Sequence, residues 1–294
     1  MDGILIINKP KGFTSHDVVN IVRKYLNEKK VGHTGTLDPN ATGVLPVLIG
    51  KATKLSKYLI EHNKEYIVTA ELGKLTNTGD TEGDIIKEDL EIEEKIHNLN
   101  NEKIIEILNS FKGEQSQVPP IYSAIKIKGK KAYEYARSGQ DIKIEPRKIK
   151  IFDIELLNFK DKEIKFKVVC SKGTYIRTLC EDIAKKIGTI GFMKELERTK
   201  VNEFNIENSV TIDEIKKSTN KLDIDNIIKK IIKIEELFKE KEKINLNDRK
   251  KDLFLNGAQL TFEKQNDIYR IYYQNKFIGL GIIKDNLLKR DIVL

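Results

Sequence analysis

Ile4-Leu5-Ile6-Ile7 is a run of four apolar residues, closed by the turn-like Lys9-Pro10-Lys11-Gly12. A run this short, unbroken by polar residues and bounded by turn residues, reads as a buried strand. Residues 44–49 read as a second strand. Between them Val18, Val19, Val22, Tyr25 and Leu26 fall at helical spacing behind a Thr14 or Ser15 cap. Residues 51–60 read as a helix, 66–72 alternate like a strand, and 76–83 form a polar turn. Ile104, Ile105, Ile107, Leu108 and Phe111 predict a helix over 101–112. Strands follow at 149–157 and 164–170, then a short helix at 179–187. Strands alternating with helices make the main domain mixed α/β. Thr211-Ile212-Asp213-Glu214 is a capping box. Residues 220–243 predict one amphipathic helix or two short ones, running into the charged linker 239–243. Residues 268–273 and 277–283 form a hairpin around Asn275-Lys276, and the β texture of the last fifty residues predicts a second, small domain.

The chain has 294 residues, and no stretch approaches the ~18 to 20 apolar residues of a membrane helix. Ile4–Ile7 is too short for a signal-peptide core, so the expected location is cytoplasmic. Cys170 and Cys180 are too few for a disulfide framework and are expected as free thiols. His16, His33, His62 and His97 stand apart without zinc spacing, so no metal is expected. A net charge of +8 favours a polyanionic partner. Lysine says little in so Lys-rich a chain. The eight arginines say more, because a guanidinium is a rigid fork for carboxylate or phosphate. Beyond the break at Val118-Pro119-Pro120, Lys126, Lys128, Lys130, Lys131, Arg137, Lys143, Arg147 and Lys148 interleave with Tyr122, Tyr133 and Tyr135. The pattern suits phosphates and unstacked bases; it also suits an ordinary charged surface.

The densest polar loop spans residues 32–43, Gly-His-Thr-Gly-Thr-Leu-Asp-Pro-Asn-Ala-Thr-Gly. It admits two accounts. Asp38-Pro39 can simply start a helix or turn, the aspartate capping and the proline leading. Alternatively, the glycines admit a ligand close to the backbone and Asp38 supplies a carboxylate to it.

Residues 31–46 resemble the catalytic motif of the TruB-type tRNA pseudouridine synthases. The resemblance runs on through most of the chain. Residues 4–12 look like the family's opening motif, Lys64-Glu65-Tyr66 like its Lys-x-Tyr strand, and residues 76–83 like its Asp-bearing turn. Gln117 to Lys126 is similar to its insertion signature, Lys172 to Leu179 to its third active-site strand, and Leu196-Glu197-Arg198-Thr199 to its late Leu-x-Arg-Thr segment. Six motifs beside the catalytic one, all in the family's order, are far more specific than any single motif. One departure is Asn77, where many relatives carry a further acidic residue; the Asp38 match is untouched by it.

The resemblance implies a mixed-sheet pseudouridine synthase fold with a small β-barrel, PUA-like C-terminal domain. It divides the chain into a catalytic domain over 1–238, with an RNA-gripping insertion at 118–148, and an RNA-gripping domain over 244–294, in which Arg249, Lys250, Lys251 and Arg270 are candidate contacts. It implies isomerisation of the uridine at position 55 of the tRNA T loop, without metal, cofactor or guide RNA. Asp38 is then the catalytic carboxylate. Arg177 pairs with it bidentately and Asp80 steadies that arginine. Tyr66 stacks on the extruded base, Leu196 closes its other face, and Tyr175, on a strand with Arg177, lines the pocket. His33 fills the gap left by the flipped base. Lys9 and Pro10 buttress the active-site loop, and Lys126, Lys128, Lys130, Arg137 and Arg147 contact the RNA backbone. The expected partner is the T arm and elbow of tRNA, bound by a monomer off any membrane. Two further readings follow from the same motifs. One is a tRNA-folding chaperone. The other is a guide-dependent synthase of the dyskerin type, from which a chain opening almost directly at Ile4, with no extended basic arm, is expected to differ.

Overall fold

The structure, a computed structural model, describes the whole chain except residues 60, 61, 124, 128, 141, 219 and 220. Lys128, the end of the helix expected over 51–60 and the start of the one expected from 220 therefore lie outside the described residues.

Strands β1 (Gly3–Lys9), β2 (Val31–His33), β3 (Thr42–Ile49), β4 (Lys64–Leu72), β7 (Gly113–Gln117), β10 (Arg147–Lys160), β11 (Glu163–Cys170) and β12 (Gly191–Val201) belong to one large mixed sheet. Its order from β1 is β1-β3-β12-β4-β11-β10-β7, with β2 paired to β3. Only the β3–β12 pair in that path is parallel. Helices α1 (Ser15–Tyr25), α4 (Asn101–Asn109) and α6 (Ile176–Ile187) pack on the sheet. A hairpin of β5 (Lys74–Thr76) and β6 (Ile85–Glu88) carries the Asp80 turn. Within the insertion, β8 (Lys126–Ile127) and β9 (Lys130–Lys131) pair ahead of α5 (Ala132–Arg137).

The apolar run of β1 has a physical reason. Successive strand side chains point to opposite faces. Leu5 and Ile7 pack with Val18, Val19 and Val22 of α1. Ile4 and Ile6 pack with Val44, Leu48, Leu280 and Ile292 on the other face. Both faces are covered, so neither tolerates polar residues. Thr14 is the α1 cap. Its side chain accepts from the Asp17 amide while the Asp17 carboxylate accepts from Thr14, a complete capping box. Thr211 and Glu214 form the second box, as expected.

Residues 243–293 form a five-stranded sheet with its own core of Phe254, Tyr269, Ile271, Ile283 and Leu288. Its hairpin turns at Gln274 and Asn275, both with positive φ, one residue earlier than the sequence suggests. Three further expectations need correction. Residues 50–55 form a 3-10 helix, followed by α2 (Ser56–Leu59), rather than one α-helix. The 220–243 helix stops at Lys229, and Ile232-Lys233 pairs with Gly3-Ile4 instead. The third is the start of α6, described with the site. No helix among the described residues is long and apolar enough to cross a membrane.

Phe166 is fully buried in β11, with Val68 and Leu156 as its cross-strand neighbours. Phe166→Ala should cost about 3–5 kcal/mol by cavity creation, read as a lower urea midpoint with an unchanged slope.

Candidate active site

Asp38 lies in the loop between β2 and β3, and the backbone on both sides of it is held. The Ser15 hydroxyl, at the start of α1, accepts from the Leu37 amide at 2.9 Å and donates to the Leu37 carbonyl at 3.1 Å. The Pro39 carbonyl accepts from the Gly12 amide at 2.9 Å and from the Lys9 ammonium at 3.0 Å. That ammonium also donates to the Pro10 and Phe13 carbonyls. Lys9 is fully buried. Pro39 therefore ends in a grip that fixes the carboxylate's starting point, and the Asp38 side chain itself stays 40% exposed.

Arg177 reaches this carboxylate from α6. Its Nε lies 3.4 Å from Asp38 Oδ2. Its Nη1 donates to the Thr78 carbonyl at 3.1 Å and lies 3.6 Å from Asp80 Oδ2. Its Nη2 donates to the Tyr122 carbonyl at 2.9 Å. The expected bidentate pair is thus a single contact, because the fork's other donors hold the Asp80 turn and the insertion. Asp80 is buried and accepts from the Thr78 hydroxyl at 2.6 Å and the Glu82 amide at 3.0 Å. Gly79 lets this turn lie against α6. Its φ is +75°, and a Cβ there would stand 2.6 Å from the Glu181 carboxylate. Burial lifts the Glu181 carboxyl to about 6, Asp182 adds to the rise, and Arg177 opposes it.

Tyr175 and Arg177 do not share a strand. β11 ends at Cys170, Gly173 turns with φ +79°, and Tyr175 is the N-cap of α6. The sequence carries the signal: Ile176, Leu179, Cys180, Ile183 and Ala184 are all buried, a helical period that starts at 176.

Tyr66, on β4, pairs across the sheet with Arg198 on β12, whose guanidinium lies close enough to act on the phenol. Burial pushes the Tyr66 phenol up, against the pull of that cation. A cavity of about 500 Å³ opens above these residues. Asp38, Tyr66, Tyr175, Arg177 and Leu196 all line it, together with Tyr122 and Tyr133 from the insertion and Arg198.

The family model described as "TruB family pseudouridylate synthase (N terminal domain)" matches residues 23–176. A second, "tRNA pseudouridylate synthase B C-terminal domain", matches 177–238. The chain belongs to the TruB family. It is 44% identical to the tRNA pseudouridine synthase B of Clostridium tetani, over 96% of this chain and 95% of that protein. Its identity to the Aquifex aeolicus protein of the same name is 40%, over 98% of both. A chain in the crystal structure of a Cbf5-Nop10-Gar1 complex superposes with a TM-score of 0.69 at 27% identity, over 99% of this chain and 84% of that one. The fold is that of the pseudouridine synthases, a large mixed sheet with a small PUA-like C-terminal sheet.

In this TruB-family chain three groups of named residues lie off the cavity. Asp80 acts on it through Arg177. His33 sits on β2 opposite Val47, half-buried, its Nδ1 without a partner, and burial lowers its pKa. Lys126, Lys130, Arg137 and Arg147 are exposed on and beside the insertion. The Arg137 guanidinium stands 5.4 Å from the ring of Tyr133. Arg198 is the cavity residue to which the sequence reading gave no role of its own. It is 1% exposed and donates to the Val44 carbonyl and the Gly35 carbonyl, both at 2.7 Å. Its rarity as one of eight arginines, within the Leu-x-Arg-Thr segment, was the available signal.

Burial pulls the Lys9 ammonium down to about 8, against the Asp38 carboxylate. Between that value and the ordinary 10.5 the unfolded chain binds more protons. Stability from Lys9 therefore rises with pH across this window and is level below it. Subtracting Lys9→Met unfolding free energies, measured from pH 7 to 10.5, should leave that rise; a flat difference would contradict it.

Proposed function

We propose that this protein isomerises the uridine at position 55 of the tRNA T loop to pseudouridine, with Asp38 as the catalytic carboxylate. The observation that carries the reading is the convergence of Asp38, Tyr66 and Arg177 on one cavity from three separate parts of the chain. Curated relatives named tRNA pseudouridine synthase B, matching over nearly their whole length, support it. The cavity falls in the range of about 300–1,000 Å³ that holds a small organic molecule. That fits a single extruded nucleotide and not a stacked duplex, so the base must flip.

In the reaction the N1–C1′ bond breaks, the base turns, and C5 bonds to C1′. The hydrogen on C5 leaves as a proton, and N1 ends protonated. The Asp38 carboxylate beside C1′ serves this exchange, and the Arg177 guanidinium at 3.4 Å orients it. Tyr66 stacks on the base, worth about 1–3 kcal/mol, and Leu196 closes its other face. Tyr175 completes the wall. His33 takes the flipped base's position in the RNA stack.

Residues 1–238 act as the catalytic unit, with 118–148 gripping the T arm, and 244–294 as a PUA-like RNA grip. The protein works in the cytoplasm, as a monomer, on tRNA alone, without guide RNA, metal or cofactor.

Tritium release from an unguided tRNA transcript labelled at C5 tests the core of this. Wild type should release stoichiometrically; Asp38→Asn should release none while binding tRNA nearly as well. Wild-type release by Asp38→Asn would remove the assignment. No release by wild type, despite tight binding, would favour a guide partner or the chaperone reading. Tyr66→Phe keeps the ring but loses the hydroxyl, and near-normal turnover there would exclude the hydroxyl as a proton carrier.

Binding should weaken steeply with salt, since phosphate contacts release counterions. Replacing Lys126, Lys130, Arg137 or Arg147 by Ala should each lower the log–log salt slope by roughly one. Unchanged slopes would place the RNA grip elsewhere.

A further inference from the structure

Tyr175 is an unusual residue to begin a helix. A phenol cannot reach back to the first-turn amides, and α6 has no side-chain cap. Gln117 serves the peptide groups there instead. Its Oε1 accepts from the Tyr175 amide at 2.8 Å, and its Nε2 donates to the Tyr175 carbonyl at 3.0 Å. The two bonds hold the Tyr175 backbone as a neighbouring strand would, from 58 residues away. Gln117 is only 4% exposed.

Its position in the chain matters as much as its bonds. Gln117 is the last residue of β7 and pairs with Arg147, the first of β10. That pair closes the base of the insertion. Two more bonds continue the seam. The Thr178 hydroxyl donates to the Val118 carbonyl at 3.4 Å, and Arg177 Nη2 donates to the Tyr122 carbonyl. The first residues to leave the sheet are therefore stitched to the first turn of α6, on either side of Arg177.

We propose that Gln117 is a positioning residue, which sets the start of α6 and through it the aim of the Arg177 guanidinium at Asp38. The amide couples the point where the insertion leaves the sheet to the catalytic pair. This rests on the isomerase reading of the cavity. A lost Gln117 bond lets the helix start shift, and a displacement near 1 Å at a reacting group costs about 100-fold in rate.

The test compares Gln117→Leu and Gln117→Glu with wild type in single-turnover tritium release and tRNA affinity. Glutamate keeps the size and the acceptor but sets a carboxylate against the Tyr175 carbonyl, so it serves if the leucine variant does not fold. The expected result is a rate about 100-fold lower with tRNA affinity nearly unchanged. In an Arg177→Lys background the same substitutions should add little, because both act through one group. Undiminished rates in a folded variant, a loss confined to affinity, or additive losses in the double variants would each overturn the proposal. Wild type keeps the two readings apart. If it releases no tritium, the isomerase reading fails; if it turns over and the variants do too, only the role of Gln117 fails.

Discussion

The Arg177 guanidinium organises this molecule's active region. It is 7% exposed, and a cation so withdrawn from water needs partners on every donor edge. The chain supplies them from separate loops: Asp38 after β2, Thr78 and Asp80 between β5 and β6, and Tyr122 in the insertion. Burying one side chain thus obliges three loops to meet. Of its two carboxylate partners, Asp38 is the one left open to solvent, its side chain 40% exposed against 8% for Asp80, and so it is the one free to act on a substrate.

Arg198 solves the same problem in the opposite way. It is more deeply buried and bonds to two backbone carbonyls. Backbone carbonyls orient a cation without neutralising it. Its positive charge therefore remains available beneath the cavity, next to the Tyr66 hydroxyl. Gly43 permits the approach: a Cβ there would fall 2.2 Å from the Arg198 carbonyl oxygen. The glycine that follows the Asp38 loop, at the start of β3, is thus a packing requirement of β12 as much as a feature of the loop.

What the sequence revealed follows from how local each cause is. The β1 run, the Thr14 and Thr211 caps and the C-terminal hairpin depend on neighbours within a few residues, and they read correctly or within one residue. The residues gathered on the cavity came from matched motifs, since no local pattern joins residue 38 to 177. The errors have tertiary causes. Tyr175 is a poor cap by propensity, and the bonds that hold its backbone at the helix start come from Gln117, far away in sequence. Ile232-Lys233 continues a helical pattern but finds an open edge at Gly3-Ile4. Arg198 sits among charged residues of β12, between Glu197 and Lys200, where alternation alone suggests an exposed strand.

The two parts proposed to grip RNA differ in how they are attached. Leu280 and Ile292 of the C-terminal sheet share a core with Ile4 and Ile6 of β1. Asp291 bonds both Lys57 and Tyr58, and Tyr272 bonds Glu235. Swinging that sheet would expose apolar surface and strip these groups of partners, so its position relative to the cavity is set by the fold. The insertion rests on much less. Its β8–β9 pair is two residues long on each side, and its described link to the catalytic pair is the seam from Gln117 to Tyr122. Local opening has its lowest free energy where buried contacts are fewest. The insertion is therefore the part that adjusts most easily, on the proposed function to a bound RNA, and movement there is felt first at Arg177.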